Sequence, residues 1–286
     1  MPELPEVEVL RSHLHECLPG LQVRSVTVLK PRITRPVTEA QLAQALVGAT
    51  FRAVLRRGKH LVFRLNQPQG HDAWMHVHLG MTGRVRIDPA ADAFPRHAAV
   101  TLALGPRDLR WVLVDPRQFG RVGLGQPHGL GPEPLDDAFL PEHLALALAS
   151  SRQSIKARLL DQSVVAGIGN IYANEALHRA GVRPSRPAMD LRPAEIQRLH
   201  AAIRHVLAKA IAMGKAMELD FADGMDGLFY FGQAPDLESS ESPVPSAVEA
   251  WGVYDRAGQA CRRCGSLIQR SMLAGRATFH CPRCQR

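Results

Sequence analysis

The feature that most restricts the fold is a pair of CxxC motifs near the end of the chain. They are CRRC, with Cys261 and Cys264, and CPRC, with Cys281 and Cys284, and sixteen residues separate them. Two such turns brought together place four thiolates at the corners of a tetrahedron, the geometry that Zn²⁺ prefers. Two disulfides of a secreted domain are the alternative, but the acidic first residues are unlike a signal peptide. The spacing therefore predicts a small module folded around one structural zinc ion.

The charge of the chain indicates a polyanionic partner. Lys and Arg number 35 against 27 Asp and Glu, a formal net charge of +8. Residues 256–286, around the cysteine pairs, hold seven arginines and no acidic residue. Guanidinium pairs bidentately with phosphate, so we expect this part to bind nucleic acid, although a structural zinc ribbon with solvated arginines is the alternative. No apolar run approaches the roughly 18 to 20 residues that span a bilayer, so we expect a cytoplasmic or nucleoid-associated protein with no membrane partner.

Hydrophobic patterning divides the rest of the chain into a β part and a helical part. Apolar and polar residues alternate in short runs over residues 21–125, which is typical of antiparallel strands in a sandwich or barrel. A helix is predicted before them, from Glu6 to about Leu18. Helical spacing returns after about residue 135, and the longest predicted helix starts at Pro193 and ends at Gly214.

These patterns predict an α+β multidomain fold. We expect an N-terminal β-sandwich with a leading helix over residues 1–130 and a helical domain over 131–225. A flexible linker is expected over 226–250, where acids and prolines accumulate without a base from residue 232 onward. The zinc-finger β-hairpin is expected over 251–286.

A glycine-rich turn between two predicted helices has the composition of an anion site. It reads GIGN, with Gly167 and Gly169 directly before Asn170. Unsatisfied N–H groups at a helix start can bind a phosphate, and glycine lets the backbone approach it closely. The alternative is a turn that needs glycine only to bend, so this motif alone leaves both interpretations open.

Seven motifs, in order, make the chain similar to a known family. They are PELPEVE at residues 2–8, RGKH, HLGMTG, DPRQFG, GPEPL, GIGNIYANE and AGRATFHCPRCQR. Together they resemble bacterial formamidopyrimidine-DNA glycosylases over nearly the whole chain. The resemblance implies a catalytic β-sandwich, a helix-two-turn-helix DNA-binding domain, a lesion loop in the linker and a zinc finger. It also implies base excision repair of oxidised purines in double-stranded DNA by a monomer.

The resemblance assigns catalytic roles to residues at the N-terminus. Pro2 is small enough for Met1 to be removed, which would expose a secondary amine able to act as a nucleophile near neutral pH. By resemblance, this amine attacks the sugar C1′ of the damaged nucleotide, expels the base and leaves a Schiff base, and β- and δ-elimination then cut the strand. Glu3 would move protons, Glu6 would hold the sugar or shuttle protons, and Lys59 would contact a phosphate and aid the lyase step.

The resemblance also implies a set of DNA contacts. Met81, Arg117 and Phe119, which we call the wedge residues, would enter the base stack, where the arginine faces the orphaned base. His76, on the same strand face as His78, is expected to be structural instead. The full set of implied DNA-binding residues is His78, Met81, Arg117, Phe119, Asn170, Tyr254, Arg270 and Arg276.

One segment departs from the family pattern and concerns the substrate. Relatives carry a loop of the form Gly-Thr-Thr after the long helix, closing over the flipped purine, whereas residues 214–227 read GKAMELDFADGMDG here. An endonuclease VIII-like glycosylase for oxidised pyrimidines is therefore one alternative, and a non-catalytic zinc-dependent DNA-binding protein is another. PELPEVE, HLGM and DPRQFG favour the formamidopyrimidine branch. The four implied catalytic residues favour an enzyme.

Overall fold

The computed structural model describes residues 2–215 and 251–286, which form two compact units. Of the described residues, unit 1 holds 2–128 and 214–215, and unit 2 holds 129–213 together with 251–286. The predicted linker over 226–250 lies outside the described residues. None of the described helices has both the length and the apolar character needed to cross a membrane.

Unit 1 contains the elements α1 (Leu4–Cys17), β1 (Gln22–Val28), α2 (Glu39–Leu46), β2 (Thr50–Arg57), β3 (His60–Asn66), β4 (Asp72–His78), β5 (Arg84–Pro89), β6 (Ala98–Gly105), β7 (Leu109–Val114) and β8 (Arg121–Leu124). Its strands are antiparallel and lie in the order β5-β7-β6-β1-β2-β3-β4-β8. Strands β1 and β2 pair only between Gln22 and Thr50, so the sheet consists of two four-stranded halves joined at one corner.

Aromatic side chains fill the space between the two halves of the sheet. The Phe63 ring, from β3, meets the Trp111 ring, from β7, edge-on with centroids 5.9 Å apart. Phe51 contacts Phe63 in the same geometry, and all three side chains are fully buried. Side chains alternate across each strand, so every second residue of the predicted β runs points into this core. The predicted β-sandwich is confirmed.

Helix α1 closes one side of the sandwich core and begins earlier than the predicted Glu6. Leu4, Val7, Leu10 and Leu14 follow the spacing of a single helix face and are completely buried. The helix can start at Leu4 because Pro5 falls in its first turn, where a missing N–H costs no intrahelical hydrogen bond. The first residues of the chain are therefore held against the core.

Unit 2 contains the predicted helices and the terminal hairpin. The long helix that starts at Pro193 reaches Lys215, one residue beyond the predicted end at Gly214, and its buried face includes Leu199, Ile203 and Leu207. The elements are α3 (Pro141–Leu148), α4 (Ile155–Leu160), α5 (Asn170–Ala180), α6 (Pro193–Lys215), β9 (Gln269–Leu273) and β10 (Arg276–His280). The predicted helical domain and zinc-finger hairpin are confirmed.

A fully buried lysine joins the helices of unit 2 to the hairpin. Lys156 Nζ, in α4, donates to the Ala277 carbonyl at 2.8 Å and to Thr278 Oγ1 at 2.7 Å. Asn174 Oδ1, in α5, accepts a hydrogen bond from Phe279 N at 3.1 Å. A buried ammonium is tolerated only where its N–H groups find acceptors, so these contacts fix where the hairpin packs. The hairpin is thus an integral part of unit 2.

Candidate active site and metal centre

Two buried carboxyl groups mark the N-terminal end of α1. Glu3 is the residue that precedes the helix, and Glu6 lies in its first turn. They are 1% and 3% exposed, and Glu6 Oε2 accepts a hydrogen bond from Glu3 N at 2.8 Å. Carboxylates at this position are stabilised by the free N–H groups and the dipole of the helix. Glu3, Glu6 and the buried Pro2 are therefore fixed together, next to one another, at the helix start.

The turn that carries Lys59 is tied to the same helix. Arg56 Nε donates to Glu8 Oε2 at 2.8 Å, and another nitrogen of Arg56 donates to the Gly58 carbonyl at 3.1 Å. Gly58 has a φ of 56°, which favours glycine in this tight connection between β2 and β3. Lys59 itself is only 8% exposed. The structure thus links the Lys59 turn to the helix that carries Glu3 and Glu6.

His78 ends β4 and is held in the neutral form that carries its proton on Nε2. Gly80 N donates to His78 Nδ1 at 3.0 Å, so Nδ1 has no proton. Burial, followed by the positive charges of Lys59 and Arg121, lowers the pKa of His78 to about 4. A neutral imidazole of this kind can donate one hydrogen bond to a phosphate oxygen without paying for desolvation of a charge.

His78 belongs to a cluster of three histidines that the sequence interpretation did not recognise. The ring of His60, in β3, lies 4.9 Å from that of His78 and 5.8 Å from that of His76. Burial, followed by His78 and His76, lowers the pKa of His60 to about 3. His76 Nδ1 lies 3.1 Å from the Gly125 carbonyl, which fits the structural role expected for it. The cluster could have been found from the sequence, because His60 begins one strand and His78 ends the next, so antiparallel pairing brings them together.

The lowered pKa of His60 predicts that unit 1 becomes less stable as the pH falls. His60 titrates near 6.5 when unfolded and near 3 when folded, so the unfolded chain binds more protons between these values. The free energy of unfolding is therefore highest above about pH 6.5 and decreases as the pH falls toward 3, because the unfolded chain takes up the His60 proton first. We expect His60→Gln to flatten the decline of the denaturation midpoint between pH 6.5 and 5. The matched variant His71→Gln, at an exposed position, should follow wild type, and parallel curves for His60→Gln and wild type would refute the assignment.

The wedge residues lie on two neighbouring turns of unit 1. Met81 is in the turn over residues 79–83, and Arg117 and Phe119 are in the turn over residues 115–120. Phe119 is 43% exposed, and the Arg117 guanidinium lies 4.7 Å from the centre of its ring. An exposed aromatic ring with a cation beside it is a surface that binds flat π systems readily.

Asn170 begins α5 in unit 2, as predicted. Gly167 has a φ of 86°, and Gln162 fixes the turn by accepting from Gly167 N at 2.9 Å and donating to the Ile168 carbonyl at 2.8 Å. Among the described residues, Asn170 Oδ1 is buried without a hydrogen-bond partner. The turn therefore needs glycine for its conformation. It also leads directly into the N-terminus of a helix, which is the position that an anion site requires.

The four predicted zinc ligands converge in unit 2. Their sulfur atoms all lie within 4.8 Å of one another, and two of the separations are 3.9 Å (Cys261–Cys284) and 3.4 Å (Cys264–Cys281). A zinc ion with Zn–S bonds of about 2.3 Å requires sulfur atoms about 3.8 Å apart, so the four thiolates fit one tetrahedral ion. His178 Nε2 lies 3.6 Å from Cys261 Sγ, a supporting contact that the sequence interpretation missed. The predicted structural zinc site is confirmed.

The arginines of the zinc module divide into exposed and buried groups. Arg270, in β9, and Arg276, at the start of β10, are exposed. Arg256 is 5% exposed and donates to the carbonyls of Trp251, Gly252 and Ala260, so one of the seven arginines is structural. The predicted basic surface therefore has fewer arginines than the sequence count indicates, but Arg270 and Arg276 remain exposed on the hairpin.

Tyr254 is positioned by a carboxylate on α5. Glu175 accepts hydrogen bonds from Gly252 N, Val253 N and Tyr254 N at 2.8–2.9 Å. The Tyr254 ring packs edge-on against Phe279 of β10, with centroids 5.3 Å apart. Three hydrogen bonds to one buried carboxylate make this a rigid connection. The structure thus places Asn170, Tyr254, Arg270, Arg276 and the cysteines in unit 2, and the other predicted site residues in unit 1.

Comparison with known proteins covers the full chain. Residues 1–122 match the "Formamidopyrimidine-DNA glycosylase N-terminal domain", residues 130–221 the "Formamidopyrimidine-DNA glycosylase H2TH domain" and residues 258–286 the "Zinc finger found in FPG and IleRS". A formamidopyrimidine-DNA glycosylase of Laribacter hongkongensis is 42% identical over 295 residues, with 100% of both chains covered. A Lactococcus lactis FPG mutant in complex with Fapy-dG containing DNA is 31% identical, with a TM-score of 0.83 and 100% of both chains covered. The Lactococcus lactis Fpg complex with an abasic site containing DNA is 29% identical, with a TM-score of 0.81 and 99% of both covered.

Proposed function

The chain belongs to the formamidopyrimidine-DNA glycosylase family and is a DNA-repair glycosylase, and we propose that it also acts as an abasic-site lyase through a Schiff base on Pro2. Its proposed substrates are formamidopyrimidine and 8-oxoguanine in double-stranded DNA. The proposed enzyme acts as a monomer on the DNA of the bacterial nucleoid. The observation that carries this proposal is the buried carboxyl pair fixed beside Pro2.

The proposed reaction starts at the nitrogen of Pro2 after removal of Met1. This amine displaces the base at C1′, and the base leaves with its bonding electron pair and takes up the N–H proton that the amine loses. The Glu3 carboxyl gives its proton to the ring oxygen O4′, so the C1′–O4′ bond breaks and the sugar ring opens. The product is an iminium ion between Pro2 and the opened sugar. A secondary amine can form this cation but cannot lose a further N–H proton, so the positive charge remains to acidify the C2′ proton.

Strand cleavage follows from that acidity. Loss of the C2′ proton expels the 3′ phosphate by β-elimination, and a second proton loss expels the 5′ phosphate by δ-elimination. Glu3 is the proposed carrier of these protons, while Glu6 holds the Glu3 backbone at the helix start. A carboxyl group placed by a helix end and the core keeps its geometry during several proton transfers.

Phosphate recognition is proposed to use both neutral and charged donors. In unit 1, Lys59 offers an ammonium on a tethered turn, and His78 offers its Nε2–H. In unit 2, Asn170 lies at a helix start, and Arg270 and Arg276 are exposed on the hairpin, with Tyr254 as a further contact. Phosphate contacts fix register and orientation on DNA without reading its sequence. This suits an enzyme that must find a lesion in any sequence.

Lesion exposure is proposed to use the wedge residues. Phe119 is an exposed ring at a turn tip, Arg117 lies beside it, and Met81 lies on the neighbouring turn. Inserting such side chains unstacks a base step at a cost of a few kcal/mol, and an arginine can satisfy the base left without its partner. Base flipping then brings C1′ within reach of the amine.

A trapping experiment with several lesions tests the proposal. Borohydride reduces an iminium between protein and sugar to a stable covalent bond, so the protein should become linked to duplexes that contain formamidopyrimidine, 8-oxoguanine or an abasic site. Preferential linkage to a pyrimidine glycol would establish the endonuclease VIII-like alternative instead. Binding to all of these duplexes without any linkage would establish a non-catalytic zinc-dependent DNA-binding protein.

A further inference from the structure

A buried carboxylate joins the two turns that carry the wedge residues. Asp115 is 1% exposed and follows β7 directly. Its Oδ1 accepts from Thr82 Oγ1 at 2.6 Å and from Arg117 N at 3.2 Å, and its Oδ2 accepts from Gly120 N at 2.7 Å. One side chain thus closes its own turn over residues 115–120 and bonds to the turn over residues 79–83. Hydrogen bonds to an ionised, buried acceptor are about twice as strong as neutral ones.

The glycines of both turns permit this close approach. Gly80 has a φ of 63°, and a Cβ there would lie 2.5 Å from the carbonyl carbon of Phe119 and 2.7 Å from Gly120 N. A Cβ on Gly120 would lie 3.1 Å from Asp115 Oδ2. Gln118 has a φ of 55°, a left-handed conformation that a residue with a side chain adopts only when its surroundings hold it. The two backbones therefore approach closely, and the conformation of each turn restricts that of the other.

We propose that Asp115 is the positioning residue for base-stack insertion, and that its hydrogen bond with Thr82 makes the two turns move together. This inference rests on the proposed use of Met81, Arg117 and Phe119 as a wedge. Insertion into stacked bases pushes back on the inserted side chains, so they need a support that does not yield. Asp115 supplies this support through its hydrogen bonds to both turns, and it does not itself reach DNA, because it is buried.

Substitutions at both ends of the Thr82–Asp115 hydrogen bond test the proposal. Asp115→Asn replaces one acceptor oxygen by an NH₂ group, which must then face a donor in this site. Thr82→Val removes only the hydroxyl, whereas Thr82→Ser keeps it and serves as the matched control. Losing one hydrogen bond to a charged group shifts a two-state equilibrium by roughly tenfold or more, which is enough to depopulate the supported arrangement.

The readout is 2-aminopurine fluorescence in a duplex with 2-aminopurine opposite a tetrahydrofuran abasic analogue. Saturating wild-type protein should raise the fluorescence by displacing the probe from the stack. Asp115→Asn and Thr82→Val should lose at least about half of this rise, since the supported turn is depopulated, and Thr82→Ser should retain it. Equal rises for all four proteins at saturation, or equal losses for the Val and Ser variants, would overturn the role of Asp115.

This readout separates the inference from the proposed chemistry. The tetrahydrofuran ring cannot form a Schiff base, so the fluorescence change requires insertion but no reaction at Pro2. If trapping fails for wild type while the variants differ in fluorescence as expected, the proposed chemistry is wrong and the role of Asp115 stands. Denaturation midpoints of Thr82→Val and Thr82→Ser show whether both fold, and a loss of fluorescence that merely follows a loss of stability would count against a positioning role.

Discussion

Replacing Glu3 with Gln should slow the release of an oxidised purine by about 100- to 10,000-fold, the range that proton transfer by a positioned side chain contributes. The amide is nearly isosteric with the carboxyl group but cannot give or take the protons that ring opening and elimination require. Single-turnover excision from a duplex that contains formamidopyrimidine measures the effect directly. DNA affinity should change little, because the proposed role of Glu3 concerns the reaction rather than binding.

Glu16→Gln is the matched control for Glu3→Gln. It makes the same substitution on the same helix, at an exposed position near the C-terminal end of α1, and should leave the excision rate unchanged. The denaturation midpoint of Glu3→Gln should also be measured, because a carboxyl group at a helix start stabilises the fold. A folded Glu3→Gln protein that excises at the wild-type rate would remove Glu3 from the reaction.

Loss of zinc should weaken DNA binding by roughly 100-fold or more. Hydrogen bonds to charged groups contribute about 1.5–3 kcal/mol each, and Arg270 and Arg276 both depend on a hairpin whose strands are five residues long. Zinc supplies most of the folding free energy of a module of this size. Chelation or Cys281→Ser should therefore disorder the hairpin, and fluorescence anisotropy with a labelled duplex that contains the tetrahydrofuran abasic analogue measures the loss.

Zinc removal should destabilise part of unit 2 and leave unit 1 unchanged. Helices α4 and α5 contact the hairpin through Lys156 and Asn174, so hydrogen exchange should quicken there, while β1–β8 keep their protection. Cys17→Ser is the matched control, because this half-buried thiol lies in α1 and outside the four-cysteine cluster. Undiminished affinity of the zinc-free protein would contradict a DNA-binding role for the module.

The sequence predicted those parts of the fold that depend on neighbouring residues. The zinc site could be found because ligand type and CxxC spacing specify the metal geometry locally. The sandwich and helix α6 could be found because side-chain periodicity reports which face is buried. The start of α1 was placed two residues late because Pro5 was not counted as part of the first helical turn.

Contacts between residues distant in the sequence could not be predicted in the same way. Arg256 was counted with the DNA-binding arginines, but its guanidinium is used on the carbonyls of its own loop. The bond of Thr82 to Asp115 spans 33 positions, and the contact of His178 with Cys261 spans 83. Pairings of this kind depend on how the elements pack, which composition and periodicity do not encode. The four catalytic residues were proposed from the resemblance, and the structure adds their burial and the hydrogen bond between Glu3 N and Glu6 Oε2.

Locating the covalent bond that forms with an abasic duplex under borohydride tests the proposed Pro2 chemistry directly. The trapped protein would be digested and the modified peptide sequenced by mass spectrometry. The peptide should begin at Pro2, lack Met1 and carry the reduced sugar remnant on the proline nitrogen. A remnant on Lys59 or another side chain, or trapping by a chain that retains Met1, would contradict this chemistry.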